Sequence, residues 1–258
     1  MNVDSPVTAV PAATLLLIRD GAAGLEVLMA ARHEKSGFAA GAMVFPGGKV
    51  DAGDMVLARR YPGLEGLSEA GAAARIAAIR ETWEECGILL ARRGRGGAML
   101  SSAELAKLGA ARGRAMADVL AETATELAFD CLVPFAHWIT PIDQPKRFDT
   151  LFFMAALECD QEALHDGREA VDARWIRPND VLAEADAGRI KLVFATRLNL
   201  MRLGQSPTVA EALAAAREAA IVTITPQIVK TPAGVVFRIP PDSGYPIHEL
   251  PLERVARA

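Results

Sequence analysis

Two short apolar runs open the chain, residues 12–20 (AATLLLIRD) and 25–33 (LEVLMAARH), with the turn GAAG between them. Apolar runs of this length bounded by glycine read as two strands joined by a turn. Residues 36–54 break the pattern. Gly37, Gly41, Gly47, Gly48 and Gly53, with Pro46 among them, predict a loop, and residues 55–67 read as irregular. So many glycines let a backbone approach its surroundings more closely than other residues permit. Residues 68–86 then take up a helical period, with Ser68 as N-cap and Gly87 just past the end. At about 100° per residue, Ile76, Ile79, Trp83, Cys86 and Leu90 share one narrow face. Glu81, Glu84 and Glu85 share the opposite face.

Downstream, Ser101 and Glu104 have capping-box spacing, so residues 101–128 read as one broken helix or two short ones. Residues 131–140, 150–158 and 171–177 are rich in β-branched and aromatic residues and predict strands. The loop between the first two (PIDQPKRFD) holds two prolines and the adjacent bases Lys146 and Arg147. Helix signals return at 178–190 and 206–220. The Pro-rich tail, 224–251, reads as a hairpin plus an extended segment. Strands and helices alternate along the chain, which favours an α/β fold with a mixed sheet and helices on its faces.

Composition narrows the class. The chain is 51% apolar and 23% charged, as expected of a globular protein with a sizeable core, and its net charge of −4 argues against a dedicated nucleic-acid binder. Cys86, Cys131 and Cys159 form no CxxC or Cys/His cluster, so neither a disulfide framework nor a zinc site is expected. The N-terminal apolar run is too short to span a bilayer and lacks the flanks of a signal peptide. The expectation is a cytoplasmic protein with no membrane partner. His33, His137, His165 and His248 show no pairing pattern and read as structural or exposed.

The stretch RETWEECGI, residues 80–88, changes the picture. Carboxylates at i, i+3 and i+4 repel, each pair costing on the order of 0.2–0.5 kcal/mol. Two readings follow. One is a solvated outer face partly offset by Arg75 and Arg80. The other is a hard-cation site, because Mg²⁺ or Mn²⁺ prefers oxygen ligands and is commonly held by carboxylates together with substrate phosphate.

The sequence GGKVDAGD followed by a helix and RETWEECGI resembles a Nudix box. That family's pattern is Gly, five residues, an acid, seven residues, then Arg-Glu-apolar-x-Glu-Glu-x-Gly-apolar. Gly48 matches the first Gly. Asp54 stands at the acid, where Glu is usual, and Arg80, Glu81, Thr82, Glu84, Glu85, Gly87 and Ile88 fill the second half. Thr82 is only half apolar, and the spacing from Asp54 to Arg80 is far longer than the family's, so the box carries an insertion. An inserted box, GFAAGAMVFPGG before it, HWITP and PKRFDTLFF after it, and ITPQIV and DSGYP in the tail resemble the coenzyme A and acyl-coenzyme A diphosphatase branch. Gly37 stands where the classical pre-box pattern has Arg.

The resemblance implies a Nudix-type α/β/α sandwich with a mixed sheet, plus extra helices from the box insertion, residues 100–128 and the C-terminal region. It implies one Nudix domain over 1–258, with a core of about 10–205 and an extension over 206–258. It further implies hydrolysis of coenzyme A or acyl-coenzyme A to 3′,5′-ADP and (acyl-)4′-phosphopantetheine. ADP-ribose, NADH or another nucleotide is the alternative substrate, and a non-catalytic binding module is the alternative class. The metal, Mg²⁺ or Mn²⁺, would be held by Glu81, Glu84 and Glu85. Arg80 would orient a carboxylate, Gly47 and Gly48 would shape the loop, and Asp54 and Gly87 would support it. Glu169, ahead of Glu162, is the candidate distant base. Lys146 and Arg147 suit phosphate recognition, Arg through its bidentate geometry. The partner expected is a small-molecule nucleotide, and homodimerisation is left open.

Overall fold

The expected hairpin forms from β1 (Val10–Gly21) and β2 (Gly24–Arg32), antiparallel and closed at Gly21 and Gly24. The computed structural model describes residues 7–33, 39–59, 61, 67–94, 96–108, 111–165, 167 and 170–254. The glycine-rich stretch is less loop-like than its composition suggests. It contains β3 (Met43–Val44), paired with β2, and β4 (Gly47–Lys49), paired antiparallel with Ala12–Thr14 of β1. Residues 52–58, expected to pass into irregular chain, form helix α1 (Ala52–Ala58). Asp51 caps it, and Asp54 three residues on returns the bond to the Asp51 N–H at 2.9 Å. An aspartate at each end of a capping box is a weaker signal than the usual Ser/Thr with Glu.

Helix α2 (Glu69–Cys86) follows, with the two ends read from the sequence: Ser68 accepts from the Gly71 N–H at 3.1 Å, and Gly87 turns left-handed at φ 73°. The inserted residues thus complete α1 and lengthen α2 at its N-terminus. Next come β5 (Ala91–Arg93), α3 (Ser102–Leu108), α4 (Met116–Thr123) and β6 (Thr125–Leu127). The 101–128 segment is therefore two short helices, and its last residues leave the helical path to pair with β5.

The main sheet is completed by β7 (Val133–Ile139), β8 (Phe148–Ala156), β9 (Ala170–Ile176) and the edge strand β10 (Thr223–Ile224). Its order is β10-β7-β8-β1-β2-β3, with β4 also on β1 and β9 also on β2. β1 runs parallel to β8 and antiparallel to β2, so the sheet is mixed. Alternation along the strands divides the core in two. Leu15, Leu17, Leu28 and Phe153 face α1–α4, whereas Leu16, Ile18, Val27, Met29 and Met154 face the other way. That second face is covered by α5 (Pro178–Asp186), α6 (Phe194–Leu203) and α7 (Val209–Glu218). The result is an α/β/α sandwich.

The tail forms the hairpin β11 (Gln227–Thr231) and β12 (Gly234–Arg238), joined by β13 (Glu249–Pro251). Tyr245 ties it to the second core by donating to Asn199 Oδ1 at 2.5 Å and accepting from Trp138 Nε1 at 3.1 Å. His137, which showed no pairing in the sequence, bridges Thr223 at 2.8 Å and Asp149 at 2.5 Å and so pins the edge strand. Among the described residues, no helix is long and apolar enough to cross a membrane.

Candidate active site

The face of α2 that carries the glutamates is largely covered. Ile76, Ile79, Trp83 and Cys86 are buried as expected, but Thr82, Arg80 and Glu85 are buried too. The glutamates grade outward: Glu85 and Glu81 side chains are 5% and 13% exposed, Glu84 30%. The cover comes from β4 and α1, which the chain folds back across this side of the helix. Leu90 is buried but lies beyond the end of α2.

Arg80 organises the cluster. Its Nε and Nη2 donate to the two carboxylate oxygens of Asp54, both at 2.9 Å, and Nη2 also donates to the Lys49 carbonyl at 2.9 Å. Its Nη1 donates to Glu81 Oε1 at 2.9 Å and Glu84 Oε2 at 3.0 Å. Burial works against the Arg80 charge, but the Asp54 hydrogen bonds and the surrounding carboxylates outweigh it and push its pKa up. Burial raises the Glu84 carboxyl, with Arg80 pulling it back. Asp54, 1% exposed, joins α1 to α2 through this fork. A bidentate pair of this kind fixes direction as well as charge.

The glycine loop meets the same cluster. The Gly47 N–H donates to Glu85 Oε2 at 3.2 Å. A Cβ on Gly48 would lie 2.3 Å from the Glu81 carboxylate, so only glycine leaves that carboxylate its place. Gly87 ends the helix in a left-handed turn that a side chain would strain. Arg32, at the end of β2, was not singled out from the sequence. Its Nη1 is 4.0 Å from Glu85 Oε1, and its Nε is buried with no hydrogen-bond partner among the described residues. An arginine ending an apolar strand carries no local signal of this role.

Of the other candidates, Arg147 is engaged by main-chain carbonyls, and Glu169 is outside the described residues. Arg147 Nε donates to the Thr140 and Pro141 carbonyls, both at 3.1 Å, and its Nη1 to the Val7 carbonyl at 2.7 Å. It ties the start of β1 to the β7–β8 loop. Lys146, beside it, is exposed. Glu169 lies outside the described residues, and Glu162 is exposed.

Among the described residues, no three acidic, His or Cys side chains converge on an ion as they stand, since Arg80 engages Glu81 and Glu84. The donor set nevertheless fits a hard divalent cation: carboxylate oxygens on consecutive helical turns, with the Gly48 backbone leaving room at Glu81.

An α/β/α sandwich whose glycine strand presses on an Arg-Glu-x-x-Glu-Glu helix is the architecture of the Nudix hydrolases. A family model described as the NUDT19 Nudix domain matches residues 64–203, and the chain belongs to that family. A crystal structure of a NUDIX hydrolase from Alicyclobacillus acidocaldarius is similar at 31% identity and TM-score 0.70, covering 81% of this chain and 96% of that one. The acyl-coenzyme A diphosphatase NUDT19 of Xenopus laevis is 26% identical over 64% of this chain and 56% of its own length. That of Gallus gallus is 29% identical over 71% of this chain and 62% of its own length. The chain thus spans about six-tenths of the length of these curated relatives.

Proposed function

We propose that the protein hydrolyses the diphosphate of coenzyme A or acyl-coenzyme A, releasing 3′,5′-ADP and (acyl-)4′-phosphopantetheine, with Mg²⁺ or Mn²⁺ held by Glu81, Glu84 and Glu85. The observation that carries the reading is the Gly48 backbone pressed against the Glu81 carboxylate, with Glu85 held by the Gly47 N–H. The substrate comes from the kinship with relatives named acyl-coenzyme A diphosphatases. In the reaction, a water oxygen bonds to one phosphorus, the bridging P–O bond breaks, and the water proton passes to a base. When bound, the cation neutralises phosphate charge and lowers the pKa of water.

The chain's own residues supply position. Asp54 fixes the Arg80 guanidinium, and Arg80 in turn orients Glu81 and Glu84. Arg80 engages one oxygen of Glu81 and one of Glu84, and so holds both carboxylates in a fixed direction beside each other. Arg32, whose Nη1 stands 4.0 Å from Glu85 Oε1 at the end of β2, is the arginine proposed to meet a diphosphate oxygen. Glu169 is the base proposed for the attacking water.

A panel of coenzyme A, acyl-coenzyme A, ADP-ribose and NADH, each with Mg²⁺ and Mn²⁺ and with products identified by mass, tests the reading. Turnover of the two coenzyme A substrates above the others supports it. Preference for ADP-ribose or NADH would move the protein to another Nudix substrate class.

A further inference from the structure

The carboxylates of α2 sit in its C-terminal half, where the helix dipole presents its negative end. The last turn of α2 holds no basic residue. Its final carbonyls also lack intrahelical partners, as at any helix end. Two distant segments supply what is missing. Arg112, from the turn between α3 and α4, donates Nη2 to the Glu84 carbonyl at 2.9 Å. The Leu164 N–H, from the connection between β8 and β9, donates to the Cys86 carbonyl at 2.8 Å. Both press on Gly87, where a Cβ would meet Leu164 O at 3.2 Å and Arg112 Nη1 at 3.3 Å. The Arg112 guanidinium is therefore packed against the helix end, and its Nε is buried.

From this geometry we propose that Arg112 is a positioning residue of the metal site: by holding the Glu84 main chain it fixes the last turn of α2, and with it the directions of the Glu84 and Glu85 carboxylates. The inference rests on the reading of those glutamates as metal ligands. Arg112 reaches the site through the main chain of Glu84 and touches no reacting atom. It also gives the extra helices α3 and α4 a part in the reaction, since they deliver the arginine.

The sign of one measurement separates positioning from simple charge. Removing a cation beside an acidic cluster should, by Coulomb attraction alone, tighten binding of a divalent cation. Loss of a supporting hydrogen bond should weaken it, typically by about 10–100-fold. Mn²⁺ affinity is measured by calorimetry on wild type, Arg112→Met, Arg112→Lys and Glu84→Gln, with thermal unfolding of the metal-free proteins alongside. Weaker Mn²⁺ binding in Arg112→Met, a smaller loss in Arg112→Lys, and a fall in kcat with KM nearly unchanged are expected. Unchanged or tighter Mn²⁺ binding in Arg112→Met overturns the proposal, even if its melting temperature falls. Should Arg112→Met not fold, Arg112→Lys keeps the charge but loses the planar guanidinium whose Nη2 reaches the Glu84 carbonyl, and wild-type affinity in it is the contrary result. Wild-type Mn²⁺ binding that survives in Glu84→Gln would instead count against the metal reading, and the Arg112 proposal would fall with it.

Discussion

Gly47 and Gly48 are adjacent, yet the structure assigns them separable costs. A methyl group on Gly48 would lie 2.3 Å from the Glu81 carboxylate, whereas ordinary contact begins at 3.4 Å, so the carboxylate must move by about 1 Å. What yields is the tip of a flexible side chain, and the strain is about 0.5–1.5 kcal/mol. A displacement of about 1 Å in a catalytic group can cost on the order of 100-fold in rate. Gly48→Ala should therefore keep its fold and lose most of its activity. On Gly47 the same methyl would meet the Ala13 carbonyl at 2.5 Å and Thr14 Cα at 2.7 Å, both backbone atoms of β1. The strand cannot swing aside, and overpacking of this kind typically costs about 1–3 kcal/mol. Gly47→Ala should show the larger loss of stability. Urea unfolding of both variants, with diphosphatase turnover at saturating Mn²⁺, measures the two effects. Wild-type activity in Gly48→Ala, or equal stability losses in the two, would refute the reasoning.

Other substitutions test the rest of the cluster. Asp54→Ala strips the buried Arg80 fork of its bidentate partner and should destabilise the fold by about 3–5 kcal/mol, read as a drop in urea midpoint. Arg32→Leu should raise KM for coenzyme A by a larger factor than Asp54→Ala does while costing less stability, because its ion pair with Glu85 is long, at 4.0 Å, where the Asp54–Arg80 pair is bidentate at 2.9 Å. Arg147→Ala removes three bonds to main-chain carbonyls and should lower stability. It should also impair coenzyme A and its dephospho form equally, and a selective loss for coenzyme A would restore a phosphate-binding role. Chelation with EDTA should stop turnover, and added Mn²⁺ should restore it.

The parts of this site set by local chemistry were legible in the sequence. Ser68 and Gly87 marked both ends of α2 because capping is a matter of a few neighbouring residues. The apolar face through Ile76, Ile79, Trp83 and Cys86 was readable from period alone. The opposite face was not, because its cover comes from β4 and α1, and no property of RETWEECGI announces them. Glycine disfavours strands, so Gly47–Lys49 looked like loop; pairing with Ala12–Thr14 made it a strand. Helix α6 went unread for a related reason: it is buried on most sides, Thr196, Arg197 and Asn199 included, so no clean apolar stripe marks it, and its N-cap, Val193, makes no side-chain bond. Arg32 and Arg112 were invisible as site residues, since each acts on α2 from a distant point in the chain.

The central claim is that Glu81, Glu84 and Glu85 hold the cation that supports cleavage of a coenzyme A diphosphate. Its most direct test is mass analysis of products from coenzyme A with Mn²⁺, for wild type, Glu84→Gln and Glu85→Gln, each confirmed as folded by circular dichroism. Wild type should yield 3′,5′-ADP and 4′-phosphopantetheine, and either variant almost none. Undiminished product from both folded variants, or no cleavage by wild type, would contradict it.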